Sequence, residues 1–287
     1  MSNFEFKDDS DQELLNEIIR LGPWVDHNIR LSSNVSTIGV DKGQNHKIIH
    51  VMDILVSLLG PRFDNYSFLD LACLEGGYSI EAALLGAKVL GIEGRQKNLD
   101  KCNFALEKLG LKNLNFKLGD VRQVSVIELG KFDVILCMGI LYHLDDPVSF
   151  LETISSLCKK YIVIDTHISY EDEEKHQSVN PNLRENLSEL TYLIVKEKSY
   201  NGRFYQEFSP NTSKDVKEGC LQSSLDNEKS FWATQKSLLD MLKAAGFDGV
   251  WQYLTLLRGG EWSSQSFARI LIVASKSEIT YSSPIWK

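Results

Sequence analysis

Three carboxylates and three short polar clusters are the residues of this chain whose types and spacing could do chemistry. Asp70 lies in a short apolar run, Glu93 closes a second run 23 positions later, and Asp120 follows Gly119 at the end of a third. Between the first two, Gly76 and Gly77 relax the backbone where a helix can begin. Such a turn lets backbone N–H groups approach a ligand, and an acid about 20 positions further on accepts both hydroxyls of a ribose. The spacing therefore reads as a nucleotide-type site. Tyr142 and His143 stand at the end of the longest apolar run, which begins at Val134. Asp165 and His167 share one side of another run's end; with no third ligand at a diagnostic spacing, they hold a metal or, more simply, serve structure or substrate contact. Arg203, Tyr205 and Glu207 alternate with Phe204, Gln206 and Phe208, which sets the first three on one face of an extended segment. That face either meets a substrate or belongs to a half-exposed strand.

The elements that must position these residues can be read from hydrophobic periodicity. Residues 68–72 and 88–92 are short apolar strands around a helix at 78–85 that Gly86 ends. From 67 to 167 strands and helices alternate with short connections, the pattern of a doubly wound parallel sheet. It includes a helix at 96–109, a third strand at 113–118, a fourth at 132–137, a helix at 147–157 and a fifth strand at 161–167. Upstream, Ser10 and Glu13 can form a capping box for a helix with Leu14, Leu15, Ile18, Ile19 and Leu21 on one face. A second helix at 45–59 is stopped by Gly60-Pro61. Residues 168–230 are polar and acid-rich and break the rhythm; an insertion of that length in a compact domain is more often a functional lid than a structureless loop. Regular structure resumes with a helix at 234–245. Two strands at 250–257 and 267–274 then suggest a closing antiparallel hairpin. Trp232, Trp251 and Trp262 read as core residues. The expected organisation is an N-terminal helical extension packing on the core (1–62), a core formed by 63–167 and 230–287, and an inserted lid or cap (168–229).

Composition narrows the partners. The 287 residues carry a formal charge of −8, which speaks against a polyanionic partner such as nucleic acid. A hydrophobic share of 43% is enough for a sizeable core. Cys73, Cys102, Cys137, Cys158 and Cys220 are scattered, an odd set without metal spacing that reads as reduced thiols of a cytoplasmic protein. There is no charged-then-apolar leader, and the longest apolar run is too short to span a bilayer, so no membrane partner is expected.

The order of these motifs resembles the class I S-adenosylmethionine (SAM)-dependent methyltransferases, whose seven-stranded Rossmann-like α/β sheet ends in such a hairpin. Within that superfamily FDVILCMGILYHLDDP and SFWATQKSLLDMLKAAGF are similar to the branch containing the tRNA wobble-uridine carboxymethyl-transferring enzyme and uncharacterised relatives. The resemblance covers residues 68–167 and 230–274. It implies SAM as cofactor, cradled by the loop from Asp70 through Ala72, Leu74 and Gly76 to Gly77. It also implies Glu93, with Gly94, on the ribose, Asp120 and Val121 at the adenine, and Met138, Gly139 and Tyr142 at the transferable methyl group. Ala72 and Leu74 depart from the pattern, since glycines are common at both positions. His143 and Tyr142 then fall where an acceptor would meet the methyl group. His143 is either the base, a role imidazoles commonly fill, or a packing residue bonded to a neighbouring loop. Tyr142 is a wall of the pocket. His167, Arg203, Tyr205 and Glu207 are the candidate substrate contacts. The tRNA enzyme contacts a carboxylated SAM through an N-terminal lysine for which this chain has no convincing counterpart. Together with the acidic charge this favours ordinary SAM and a small-molecule O or N acceptor. A tRNA wobble-base enzyme and a non-catalytic methyltransferase-like module are the alternatives, and dinucleotide binding competes for the Glu93 motif.

Overall fold

Short strands that are apolar on both faces build the sheet, as expected where helices cover it from either side. β1 (Ser67–Leu71), β2 (Lys88–Glu93) and β3 (Leu114–Leu118) pair in parallel, with Asp70 opposite Gly91 and Glu93 opposite Leu118. β4 (Phe132–Met138) pairs in parallel with β5 (Cys158–His167). β10 (Arg269–Ser275) runs antiparallel to both β5 and β9 (Gly249–Tyr253). The full order is β3-β2-β1-β4-β5-β10-β9, a seven-stranded Rossmann-like sheet with an antiparallel terminal pair. This computed structural model describes residues 10–40, 45–253 and 268–277. Trp262, residues 254–257 of the expected ninth strand and Phe267 of the tenth lie outside them.

The described residues divide into two compact units, one running up to Gln123 with Glu218–Gln222 added, the other Val124–Lys217 with the residues from Ser223 onward. In the first, α1 (Asp11–Leu21) opens with the expected capping box: Ser10 Oγ accepts from Glu13 N–H and the Glu13 carboxylate accepts from Ser10 N–H. Its buried stripe is narrower than its sequence suggests. Leu14 and Ile18 are buried, whereas Ile19 is 77% exposed. Residues four apart stack on one helical face, and each following neighbour is turned about 100° away. α2 (His46–Leu59) is capped by Asn45, α3 (Gly77–Leu84) starts from left-handed Gly76, and α4 (Gln96–Leu109) ends at left-handed Gly110. Gly91 leaves room for Phe116, whose ring would lie 2.5 Å from a Cβ at that position.

In the second unit α5 (Val126–Leu129) and α6 (Pro147–Leu157) flank β4, and α6 is capped by Asp146 with Pro147 at its first turn. The stretch from 168 to 229 is well structured. It carries α7 (Glu173–Ser178), α8 (Pro181–Arg184), β6 (Thr191–Val195), β7 (Lys198–Gln206) and α9 (Lys214–Gly219). β6 and β7 join β8 (Lys229–Ala233) in an antiparallel sheet of order β6-β7-β8, and α10 (Gln235–Ala244) follows with Thr234 as its cap. Trp232, on β8, is buried as expected.

Candidate active site

The loop after β1 is held in an unusual backbone conformation. Ala72 and Leu74 both have φ of +54°, and Gly76 has φ of +79°. These are the positions at which glycine is the easy choice, because a Cβ disfavours left-handed backbone. The loop is stabilised from below: Leu74 N–H donates to Glu93 Oε2 at 2.9 Å, and Cys73 N–H to Ile92 O at 3.0 Å. Glu93, 4% exposed, also accepts from Arg95 N–H at 2.9 Å and from Asn98 Nδ2 at 3.3 Å, both at Oε1. Burial raises its carboxyl pKa, against the opposing pull of these donors. A carboxylate offers about four lone-pair sites, so acceptor capacity is left beyond the three protein donors. Asn98 Oδ1 lies buried beside it with no hydrogen-bond partner. Gly94 follows at the bend after β2. Further along, the Asp120 carboxylate accepts from Arg122 N–H and guanidinium; burial works against ionisation, yet Arg122 holds this carboxyl below its usual range. Val121 is buried next to it.

Glu75, in the same loop, does something the sequence did not reveal. It is fully buried and accepts three consecutive backbone N–H groups, from Val25 at 2.6 Å, Asp26 at 3.1 Å and His27 at 2.8 Å. Lys101, equally buried, lies 3.1 Å from it and also donates to Pro23 O. His27 Nδ1 accepts from Gly77 N–H at 3.0 Å, and burial lowers the pKa of this imidazole, so it is neutral. Residues 23–27 are thus fastened to the start of α3.

In the second unit a histidine and a glutamate meet. His143 Nδ1 lies 2.8 Å from Glu207 Oε1. Ser230 Oγ donates to the same oxygen at 2.8 Å, and Ser224 N–H reaches Oε2 at 3.4 Å. An ionised carboxylate only accepts, so Nδ1 carries the hydrogen and, in the neutral imidazole, Nε2 is the lone-pair nitrogen. The His143 backbone is fixed in turn by Asn227 Nδ2 on its carbonyl, at 2.9 Å. Tyr142 lies 4.2 Å from the His143 ring and edge-on to His167 at 4.6 Å, and Trp232 stacks on His167 at 4.5 Å and on Tyr205 at 4.6 Å. Trp232 Nε1 donates to Tyr142 O. Asp165 is bound at both oxygens by Arg269, at 2.8 and 2.7 Å, so its carboxylate is engaged by a guanidinium. Burial raises the phenol pKa of Tyr142, which remains protonated.

The sequence matches a family described as a methyltransferase domain over residues 62–246. This chain belongs to that methyltransferase family. Among curated relatives, the ubiquinone biosynthesis O-methyltransferase of Pelagibacter ubique is 35% identical over 96 residues, which make up 33% of this chain and 39% of that protein. The chain thus matches about two fifths of that relative's length. Among solved structures, the N-terminal domain of EvdMO1 with SAH bound matches with TM-score 0.67 at 22% identity, over 93% of this chain and 97% of that one. The 1,6-didemethyltoxoflavin-N1-methyltransferase of Burkholderia thailandensis, solved with S-adenosylhomocysteine (SAH), matches with TM-score 0.51 at 15% identity, over 81% and 79%. These structures share the fold.

In this methyltransferase the expected site residues occupy different surroundings. Ala72, Leu74, Gly76, Glu93, Gly94, Asp120 and Val121 lie in the first unit; Met138, at the end of β4, Tyr142, His143, His167, Tyr205 and Glu207 lie in the second. Arg203 is 3% exposed and directs its donors to Tyr170 O, Ser188 O and Glu173, so it ties the inserted segment together. Asp70 is 1% exposed and accepts from Ser79 Oγ at 2.6 Å, pinning α3 to β1. Burial raises its pKa from 3.8 to about 7. The folded value lies above the unfolded one, so the neutral acid's contribution is complete below the unfolded pKa and is lost as pH rises through about 7. Asp70→Asn, which cannot ionise, is therefore expected to gain stability over the parent as pH rises, by ~2–4 kcal/mol at alkaline pH. Urea unfolding of both proteins across the acid-to-alkaline range measures this. A margin independent of pH would contradict it.

Proposed function

We propose that this chain transfers a methyl group from SAM to an oxygen or nitrogen atom of a small-molecule acceptor, with His143 taking the acceptor's proton. The observation that carries the reading is Glu93, a buried carboxylate at the carboxyl end of β2, beneath a left-handed loop, with acceptor capacity to spare. These residues fit an adenosyl cofactor: Glu93 would accept from the ribose hydroxyls, Asn98 Oδ1 is a second buried acceptor, and Val121 offers an apolar surface for the adenine. When bound, SAM supplies an electrophilic methyl group on a sulfonium. The chain's own residues position the reactants and accept a proton, the contributions such a displacement needs. Glu207 fixes the His143 tautomer and leaves Nε2 to receive the hydrogen of an acceptor O–H or N–H. Tyr142 lies 4.2 Å from the His143 ring and continues into an aromatic cluster with His167, Trp232 and Tyr205, a surface suited to a compact organic acceptor.

A small-molecule acceptor agrees with the net charge of −8 and with the names of the relatives, among them the ubiquinone biosynthesis O-methyltransferases. All five cysteines are free thiols, which supports a cytoplasmic setting. Among the described residues no helix is long and apolar enough to cross a membrane.

Calorimetry with SAH tests the cofactor. The parent is expected to bind, and Glu93→Ala to lose about 100-fold or more in affinity, as removing two charge-assisted hydrogen bonds would give. No binding of millimolar SAH to the parent would sink the assignment. Mass spectrometry of a cell extract incubated with the protein and isotopically labelled SAM then identifies the acceptor.

A further inference from the structure

Three consecutive carbonyl groups of the turn after β4 are each met by a donor from one short run of chain. Tyr142 O accepts from Trp232 Nε1 at 2.9 Å, His143 O from Asn227 Nδ2 at 2.9 Å, and Leu144 O from Phe231 N–H at 2.8 Å. Asn227 gives its second amide hydrogen to Lys229 O at 2.9 Å, so it bridges its own run to the turn. The same run reaches the His143 ring. Ser230 Oγ donates at 2.8 Å to Glu207 Oε1, the oxygen that lies 2.8 Å from His143 Nδ1. Alternation on paired strands explains the meeting. Tyr205 lies opposite Ser230, and just past the last pair Glu207 N–H donates to Glu228 O, which sets Tyr205, Glu207 and Ser230 on one face. All of these residues belong to the second unit. Ser230 has no solvent exposure and the Glu207 side chain has 3%, so their contact is shielded from bulk water.

We propose that residues 227–232 are the frame that positions the base, with Ser230 its decisive member. The proposal rests on the reading of His143 as the base. A carboxylate that accepts only from an imidazole is free to swing with that ring. Here Ser230 donates to the same oxygen, so Oε1 is fixed between two donors and the neutral ring is held as the Nδ1–H tautomer. Nε2 is then left to take the acceptor's proton. Ser230 is on this account a positioning residue acting through Glu207, and Asn227 is a second one acting through the His143 backbone. The inserted stretch, which supplies Glu207 and Asn227, serves as a support of the base.

Long-range proton–nitrogen NMR spectra of the full chain, labelled at histidine and recorded at alkaline pH, read the tautomer without turnover. The His143 signal is the one lost in His143→Ala. The parent is expected to show the Nδ1–H pattern alone, and Ser230→Ala to show the Nε2–H pattern beside it. With the acceptor that labelled SAM identifies, kcat of Ser230→Ala is expected to fall ~10–100-fold, the range of one hydrogen bond to a charged group. Its KM for the acceptor and its SAH affinity are expected to stay within about twofold of the parent. Ser230→Cys keeps the side chain's shape with a much weaker donor, and the same changes are expected; it carries the comparison if the alanine variant does not fold. The parent tautomer or the parent kcat in these variants overturns the frame and leaves the base assignment untouched. Full activity in His143→Ala overturns the base assignment, and the frame falls with it.

Discussion

Replacing His143 with alanine is expected to slow methyl transfer by ~10²–10⁴-fold, the usual contribution of a positioned base, while SAH affinity stays within about twofold of the parent. The expectation follows from the Glu207 contact at 2.8 Å, which aims Nδ1 inward and leaves Nε2 as the acceptor. Glu207→Gln sharpens the test. A glutamine can present its NH₂ to Nδ1, which moves the hydrogen to Nε2 and removes the acceptor while keeping the packing, so a comparable loss is expected. Initial rates with the acceptor identified by labelled SAM, beside SAH calorimetry, measure both variants. Full activity in His143→Ala would reduce the pair to a packing contact.

Glu75→Ala is expected to cost ~3–5 kcal/mol of stability, the range for breaking a buried ion pair. The carboxylate neutralises Lys101 and serves three backbone donors, so its loss strands a buried ammonium and three N–H groups together. Replacing the pair by leucine and methionine would ordinarily restore much of such a loss. Here the three N–H groups stay unsatisfied, and the double variant is expected to remain well below the parent. Urea denaturation of the single and double variants gives the numbers. A loss under about 1 kcal/mol in Glu75→Ala would mean that residues 23–27 find other acceptors.

The sheet was legible because its residues are read locally. Residues 67–93 combine two apolar strands, a glycine turn and a terminal acid, and the observed β1, α3 and β2 fall within a residue or two of that pattern. The Ser10–Glu13 cap and the closing antiparallel pair were visible for the same reason. The β6-β7-β8 sheet was not. Its strands mix polar and apolar residues; β6 leaves Tyr192 and Ile194 exposed, and β8 lies just before the helix foreseen at 234–245, where no strand was expected. Contacts across long separations were equally silent. Glu207 was singled out by alternation as a substrate contact, yet nothing in the spacing tied it to His143, 64 positions away. Glu75 sat in plain view in the loop, but its partners lie 26 and about 50 positions off. Arg203 looked like one of a polar face, and the structure turns it inward onto carbonyl oxygens.

Ala72 and Leu74 raise a question of where disorder is lost. A loop with glycines at both positions is free in the unfolded chain and loose before a ligand arrives, so its ordering weighs on binding. Side chains at both positions narrow that freedom in advance, although holding each left-handed costs ~1–2 kcal/mol in the folded protein. The loop is therefore shaped before any cofactor reaches it, and its association should carry a smaller entropic loss than a glycine-rich counterpart would show. The penalty falls on the stability of the fold rather than on ligand capture.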